Sequence, residues 1–404
     1  MQKLTIERTN GNIPGSLPGE DHISGLVFYS ELTDANLPEG FTSSERIKAV
    51  SDIESAQKLG ITADSAQWDI RVLHYVLEQT FTMNPGISLY VGIFKVAGVK
   101  TFAEIKKLQN YAGGRLRQIG VWDGHADITG GKTGDEAKAA ADTVINALKG
   151  TALTLQQQDK PLCVLYAPKV SDITKLPTEI AGPGRERISV IIAQDGAGTA
   201  AELYESEDNT GKASVTALGD ALGALSAAKV HQSIAWVEQF PTNIAEPAFS
   251  DGTKLRDLDT AVVEELDTAR YIFAVTYDGL AGSYFNDNHT LDVLTSDYAH
   301  IDRVRTMDKI VRSVRAYLIP KLGRPLLVDA STGKLDRTAK EYLETQANIP
   351  LEEMAKAGEV SGYKAEIDPN QNVLQTSEVE IVIKNVPVGV NRRMHVKAGF
   401  TTKV

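Results

Sequence analysis

Apolar and polar residues alternate along this chain with a period that changes repeatedly between that of a helix and that of a strand. Two apolar runs, Gly25–Ser30 and Ile87–Val96, are typical of buried strands. Between them, apolar side chains recur at the spacing of an amphipathic helix, at Ala66, Ile70, Leu73, Leu77 and Phe81. This part of the chain therefore predicts a strand, a helix and a second strand.

The middle of the chain repeats this alternation. We predict, in chain order, a helix near Thr101–Tyr111, a strand at Leu116–Trp122, a helix at Asp135–Leu148, strands at Leu162–Ala167 and Arg187–Gln194, and a helix near Val215–Ala228. Helices of about 10–15 residues between strands are typical of crossover connections in a parallel sheet. The pattern predicts an α/β fold of mixed α+β character, with a mixed central sheet that helices cover on both faces.

The later part of the chain begins with a strand, continues with an amphipathic helix from Ile301 to Pro320, and ends in extended segments. Pro320 ends or kinks that helix, and Pro350 is expected to break a later one. We predict strands at Tyr271–Thr276, Pro325–Asp329, Glu359–Ile367, Glu378–Asn385 and Met394–Lys403, and helical segments at Leu335–Ala347 and Glu352–Ala357.

The first residues of the chain have the character of an arm. Leu4, Thr5 and Ile6 alternate as in a strand, and the glycines, prolines and asparagines of residues 10–19 interrupt any regular structure after them. Such a segment is typical of a strand joined to the body by a flexible connection. We expect it to lie outside the core.

Composition and charge exclude several classes of protein. The chain has 404 residues and a formal net charge of −11, which argues against general binding to nucleic acid. Its single cysteine, Cys163, excludes an intramolecular disulfide and a structural zinc site built from cysteines. The first residues lack the pattern of a secretion signal, and no apolar run reaches the length of a membrane span. We expect a globular protein that does not insert into a membrane.

Candidate chemistry is sparse. Gly196 and Gly198 fit the G-x-G-x-x-A pattern of a dinucleotide-binding turn, but no second strand ending in an acidic residue follows at the expected distance. We therefore favour a plain tight turn. No two of the seven histidines lie at i, i+4, and Asp287-Asn288-His289 has no second ligand cluster beside it in the sequence. We predict no catalytic, cofactor-binding or metal site.

Two segments leave alternatives open. Leu218–Trp236 is rich in small residues, which favours a tightly packed buried helix over a subunit contact. Arg305, Lys309 and Arg312 form a basic stripe on the late helix. The stripe is either a solvated face, with Asp308 and Arg312 paired at i, i+4, or a surface that meets acidic groups of a partner.

The later part of the chain resembles the contractile tail sheath proteins of bacteriophages and contractile injection systems. The resemblance covers residues 185–404 well, whereas residues 35–180 do not align with the family. It is carried by residues 194–198, 221–237, 284–290, 295–299, 311–320, 367–369 and 386–390, and by an R-x-x-R pattern at Arg312 and Arg315.

The resemblance implies a structural protein and not an enzyme, without a cofactor. It implies a plate that forms stacked hexameric rings around an inner tube, assembles in the bacterial cytoplasm, and contracts to drive the tube through a membrane. Its partners would be copies of itself, the tube, baseplate and terminator proteins, with no nucleic acid. Arms at both ends would add strands to neighbouring subunits, through Leu4, Thr5, Ile6, Val396, Ala398 and Phe400.

The expected layout is an arm and linker at residues 1–20, a body at 21–270 and a tube-proximal domain at 271–404. Arg305, Lys309 and Arg312 become candidates for contact with the tube or an adjacent subunit. Two other functions remain open. One is a nucleotide-binding oxidoreductase that uses the Gly196 and Gly198 turn, and the other is a different tail or baseplate protein.

Overall fold

The computed structural model describes residues 20–96, 98 and 100–400. The predicted arm strand with Leu4, Thr5 and Ile6 lies outside the described residues. The chain divides into two compact units, the first ending at Leu322 and the second beginning at Gly323. The predicted boundary between residues 270 and 271 therefore falls inside the first unit.

Twelve strands are present in the described residues. They are β1 (Ile23–Ser30), β2 (Ile47–Val50), β3 (Ser88–Lys95), β4 (Gln118–Asp127), β5 (Cys163–Lys169), β6 (Ile188–Val190), β7 (Ala193–Asp195), β8 (Pro247–Phe249), β9 (Ala274–Val275), β10 (Tyr284–Phe285), β11 (Val360–Glu366) and β12 (Val382–Pro387).

Ten α-helices are present in the same described part of the chain. They are α1 (Ile53–Lys58), α2 (Trp68–Met83), α3 (Ala103–Tyr111), α4 (Gly134–Gln157), α5 (Gly198–Glu205), α6 (Leu218–Ala227), α7 (Thr260–Thr268), α8 (Ile301–Leu318), α9 (Arg337–Lys356) and α10 (Val373–Thr376). None of these described helices combines the length and apolarity that crossing a membrane requires.

A six-stranded mixed sheet forms the centre of the first unit. Its strand order is β2-β3-β1-β4-β5-β6, in which β2 is antiparallel to β3 and the other pairs are parallel. Because successive side chains of a strand point to opposite faces, β1 sends Phe28 to one core and Val27 to the other. Helices α2 and α6 cover the first face, and α3 and α4 cover the second. This confirms the predicted fold class.

Helix α6 packs closely against α2 because two glycines remove the side chains that would separate them. A Cβ atom built on Gly223 would lie 2.6 Å from the Cβ of Met83 and 2.7 Å from the carbonyl oxygen of Thr80. Every residue of α6 from Leu218 to Ser226 is buried. The small-residue segment is therefore packing within the chain in this part, as the sequence favoured.

The predicted strand Arg187–Gln194 is two strands that belong to different sheets. Strand β6 joins the edge of the central sheet, whereas β7 pairs with β8 in a separate antiparallel ribbon. Between them, Ile191 forms an isolated parallel bridge with Ile272. A continuous apolar run cannot reveal this change of partner, since both strands are buried and carry similar residues.

Residues that follow 270 complete the core of the first unit. Tyr271, Ile272 and Phe273 are buried, and the backbone N–H of Ile272 donates to the carbonyl of Val190. The predicted strand Tyr271–Thr276 is reduced to β9, which pairs only with β10 among the described strands. These contacts join residues 271–273 to the central sheet of the first unit.

The second unit contains one continuous helix where the sequence predicted a break. Helix α9 runs through Pro350, which is itself buried. Residues Leu343, Ala347, Leu351 and Met354 form one buried stripe on both sides of the proline. Burial of this stripe outweighs the hydrogen bond that proline cannot donate. The predicted strand Pro325–Asp329 is wrong, since only an isolated bridge between Val328 and Leu335 forms there.

The end of the chain follows the sequence only in part. Strand β11 confirms the prediction for Glu359–Ile367, and β12 lies a few residues beyond the predicted start at Glu378. Residues 394–400 of the predicted last strand form no strand within the chain, and residues 401–403 lie outside the described residues. A strand needs a neighbouring strand for its backbone groups, and no strand of the described chain pairs with residues 394–400.

We expect Gly223→Ala to lower the free energy of unfolding by about 1–3 kcal/mol, because the new methyl group must push α6 away from α2. Gly150→Ala is the matched control. A Cβ atom built on Gly150, within α4, would meet open space, so alanine there should raise stability by up to about 1 kcal/mol. Urea denaturation followed by circular dichroism measures both, and equal effects would contradict the close packing.

Candidate functional site

The basic stripe of α8 does not lie free in solvent but surrounds the point where the N-terminal segment joins the body. The Lys309 Nζ atom lies 2.7 Å from Oδ2 of Asp21, and the Arg312 guanidinium lies 2.7 Å from Oδ1. Asp21 stands two residues before β1. The stripe therefore holds the start of the described chain against the body. We call Asp21, Lys309 and Arg312 the arm-root cluster.

Arg305 takes part through the backbone. Its side chain is 4% exposed and donates hydrogen bonds to the carbonyl oxygens of Ala228, Lys229 and Asp21, at 3.1, 3.5 and 3.3 Å. Those bonds satisfy the buried guanidinium within the chain. Of the three candidates for contact with a partner, Arg305 is thus occupied inside the body, while Lys309 and Arg312 are each about one-fifth exposed.

The arm-root cluster stabilises the charged form of the Asp21 side chain. Burial by itself raises the pKa of Asp21, but the positive charges of Lys309, Arg312 and Arg305 outweigh it and hold the pKa below its ordinary value. Next to it, Glu20 pairs with Arg117 of the loop before β4. Two acidic residues at the start of the described chain therefore meet basic groups from two distant elements.

The predicted pair between Asp308 and Arg312 is replaced by a buried pair that holds α8 on the sheet. Both carboxylate oxygens of Asp308 accept hydrogen bonds from Arg187, each at 2.7 Å. Arg187 lies just before β6, so the bidentate pair fixes the helix against the edge of the central sheet. Arg312 turns instead toward Asp21.

The Gly196 and Gly198 turn does not have the geometry of a dinucleotide site. It follows β7, outside the central parallel sheet, and the Gly196 N–H donates to the carbonyl of Glu246 at 2.7 Å. The carboxylate of Asp195 accepts hydrogen bonds from the N–H groups of Ala197 and Glu246. The Asp195 carboxylate thus lies beside the turn, where its negative charge would repel a phosphate.

The carboxyl ends of the parallel strands, where α/β folds commonly bind ligands, border a polar cavity of about 580 Å³. Glu31, Asp69 and Asp208 line it together with His125 and Lys169. Asp69 is already engaged, because it accepts from the backbone N–H of Glu31 and lies 2.7 Å from the His125 ring. This mostly acidic lining does not suit a pyrophosphate group either.

Two further features of the described chain concern reactive side chains, namely Cys163 and a cluster of two histidines with an aspartate. Burial raises the pKa of the Cys163 thiol to about 12, so the side chain packs in β5 as an unreactive thiol. Asp287, His289 and His300 converge, with one ligand atom from each within 4.8 Å of the others. No pattern in the sequence marked His300 as a partner, because only the fold brings it beside His289.

The C-terminal segment presents apolar side chains to solvent. Val396 is 82% exposed, Phe400 is fully exposed, and Ala398 lies exposed between them. The nearby two-stranded sheet of β11 and β12 also has a backbone edge that is unpaired within the described chain. Side chains of α9 cover the other edge, since Asn348 accepts from the Ala365 N–H and Glu344 accepts from the Ile367 N–H.

Solved structures of contractile sheaths share this fold over the whole chain. A chain of the contracted helical sheath of the anti-feeding prophage matches with a TM-score of 0.61 and 12% identity, covering 100% of both chains. A chain of the contracted PVC sheath complex, from an extracellular contractile injection system, gives 0.60 and 10%, covering 100% of this chain and 98% of its own. A chain of the anti-feeding prophage baseplate gives 0.61 and 11%, covering 100% and 99%. The fold is that of the contractile sheath class.

Sequence comparison gives the family. The model described as DUF2586, N-terminal domain, matches residues 3–289, and that described as DUF2586, C-terminal domain, matches residues 297–404. The chain belongs to the DUF2586 family. A relative named "Putative tail sheath protein", from Haemophilus phage HP1 (strain HP1c1), is 32% identical over 117 residues, which is 29% of this chain and 29% of the relative's length. The resemblance to tail sheath proteins is confirmed.

We expect Asp21→Asn to lower the free energy of unfolding by about 1–3 kcal/mol near neutral pH, because it removes the carboxylate that Lys309 and Arg312 share. The pKa of Asp21 is lowered in the folded state. The stability that the Asp21 carboxylate gives the folded chain is therefore complete at pH values above 3.8, its ordinary pKa. That stability is lost as the pH falls through the lower pKa of the folded state.

The matched control is Asp64→Asn, which removes another acidic residue, one whose side chain is exposed in the turn before α2. Chemical denaturation of both variants at pH 7 and at pH 3 measures the effect. A difference between Asp21→Asn and wild type that is as large at pH 3 as at pH 7 would contradict the charge pairing.

Proposed function

We propose that this chain is a structural, non-enzymatic subunit of a contractile sheath. The observation that carries the proposal is the match of the whole fold to chains of contracted sheaths, together with a tail sheath relative in sequence. In the proposed role, copies of the chain stack as hexameric rings around an inner tube. Contraction then drives the tube through a target membrane by rigid-body rotation of the subunits.

The two-stranded sheet supports a mechanism for joining the subunits. Two strands alone are marginal in water, and the outer edge of β12 has no strand partner in the described chain. Strands donated by neighbouring copies would satisfy that edge with main-chain hydrogen bonds. The alternating exposed apolar residues Val396, Ala398 and Phe400 have the pattern of such a donated strand.

The arm-root cluster would anchor the proposed N-terminal arm to the body. Lys309 and Arg312 hold Asp21 on the body, so in the proposed assembly Asp21 is the fixed point from which the arm leaves. In the proposed assembly the arm stays paired with a neighbour while the body rotates. The role of the basic stripe is then to anchor the arm, with the exposed parts of Lys309 and Arg312 left for contact with the tube or an adjacent subunit.

A baseplate role is the second candidate, because a chain of the anti-feeding prophage baseplate matches as well as the sheath chains do. Negative-stain microscopy of the full chain, alone and with its inner tube protein, separates the candidates. Tubes of indefinite length support the sheath, whereas single rings that do not stack support the baseplate. A monomer under both conditions would count against both.

We expect deletion of residues 1–12 to abolish tubes and leave a folded monomer. The deleted segment contains Leu4, Thr5 and Ile6, and it ends well before the arm-root cluster at Asp21. Melting temperature and circular dichroism should match wild type, while sedimentation should show no polymer. Tubes that form normally from the deleted chain would remove the N-terminal arm from the mechanism.

We expect the double change Val396→Asp with Phe400→Asp to block assembly, because charge on the apolar face of a donated strand cannot be buried in a neighbour. His395→Asp with Lys397→Asp is the matched control on the opposite face of the same segment. Polymer yield by sedimentation measures both. Loss of assembly in the control but not in the first variant would reverse the assignment of faces.

A further inference from the structure

Three side chains of types that ligate metals in proteins converge between β10 and α8. His289 and His300 face each other across an isolated antiparallel bridge, and their ring centres are 5.7 Å apart. The Oδ2 atom of Asp287 lies 3.4 Å from Nε2 of His300 and 3.8 Å from Nδ1 of His289. Two imidazoles and one carboxylate therefore direct one atom each toward a common point.

The histidine at the centre of this group is oriented by a second carboxylate. Nε2 of His289 lies 3.2 Å from Oδ1 of Asp267, at the C-terminal end of α7. Asp267 in turn accepts a hydrogen bond from the side chain of Asn286 at 2.8 Å. A proton on Nε2 shared with Asp267 leaves the lone pair on Nδ1, which is the arrangement of a carboxylate–histidine–metal triad.

The nitrogen that faces the group has no hydrogen bond. His289 is 7% exposed, and its Nδ1 atom is a buried polar atom without a hydrogen-bond partner. The 3.8 Å between Nδ1 and Asp287 Oδ2 is too long for a hydrogen bond. Since buried polar atoms normally have a partner, this nitrogen calls for a ligand that the protein itself does not supply.

The carboxylate of Asp287 is oriented by a hydrogen bond to its second oxygen. Oδ1 of Asp287 accepts a hydrogen bond from the backbone N–H of Asn288 at 2.8 Å, which turns Oδ2 toward the two rings. The side chain of Asn288 then donates to Asp302 in the first turn of α8 at 2.8 Å. His300 is the residue immediately before that helix. The loop and the start of α8 thus position the ligands together.

We propose that Asp287, His289 and His300 bind a divalent transition-metal ion of the zinc class. Bonds of about 2.0–2.1 Å in a tetrahedral site separate ligand atoms by roughly 3.3 Å. The two spacings to Asp287, 3.4 and 3.8 Å, are near that value, and the three ligand atoms, which lie within 4.8 Å of one another, would draw together around the ion. Nitrogen and carboxylate ligands suit zinc or cobalt better than calcium or magnesium. Three protein ligands leave a fourth position for water.

Such an ion would fix the loop after β10 to the first turn of α8. That turn begins the helix which carries Lys309 and Arg312, so the ion would stabilise the element that holds the arm root. This role does not depend on assembly into a sheath. It is tested on the purified full chain, whether or not the chain forms tubes.

The test begins with the full chain stripped of metal by a chelator and titrated with Co²⁺ and then Zn²⁺. We expect one equivalent of Co²⁺ to give visible absorption of a four-coordinate nitrogen and oxygen site, and Zn²⁺ to displace it. Zn²⁺ should also raise the melting temperature progressively as its concentration exceeds Kd. No saturable binding at one equivalent would overturn the proposal.

Variants identify the ligands. His300→Gln and Asp287→Asn should each weaken Zn²⁺ binding by more than about 100-fold, and Asp267→Asn by about 10–100-fold, because its carboxylate only orients His289. His125→Gln is the matched control, since His125 also pairs with Asp69 and Glu31 but on opposite ring nitrogens. Binding that is unchanged in His300→Gln and Asp287→Asn would overturn the proposal.

A nuclear magnetic resonance measurement on the wild-type chain tests the proposal even if the variants fail to fold. The imidazole proton resonances of His289 and His300 should shift on addition of one equivalent of Zn²⁺, while that of His125 stays in place. If the His289 and His300 resonances do not respond, no metal site exists here and the proposal is overturned.

Discussion

The parallel strands of the central sheet must be covered on both faces, and most of the structure follows from this requirement. A parallel strand such as β1 has both faces buried, so its alternate residues Val27 and Phe28 need separate cores. Helices α2 and α6 supply one cover and α3 and α4 supply the other. The glycines of α6 let two helices share one face at close distance.

The edge of the same sheet determines where the late helix lies. The buried pair between Arg187 and Asp308 ties α8 to the strand that ends the sheet. Once α8 is fixed there, its basic residues reach the start of β1, and Asp21 meets Lys309 and Arg312. The root of the N-terminal segment is thus fixed by the packing of a helix that lies far away in the sequence.

The second unit has a different constraint. Its two strands, β11 and β12, have one edge covered by α9 and one edge without a strand in the described chain. The apolar residues after β12 are exposed in the same chain. Both features would be costly in a monomer that stays alone, and both are resolved at once if neighbouring copies exchange strands.

Periodicity along the chain determined the elements, because apolar spacing is a local property of each segment. It located α2, β3, α8 and β11 closely. The resemblance to tail sheath proteins, which particular sequence motifs carried, is confirmed by the comparisons. Contacts between distant residues were decided only by the tertiary structure. The split of residues 187–194 between two sheets, the continuous helix through Pro350, the pairing of Asp21 with Lys309 and the meeting of His289 with His300 all depend on neighbours far apart in sequence. Local spacing carries no information about such partners, since the same side chain can be solvated, buried or paired according to what the fold places beside it.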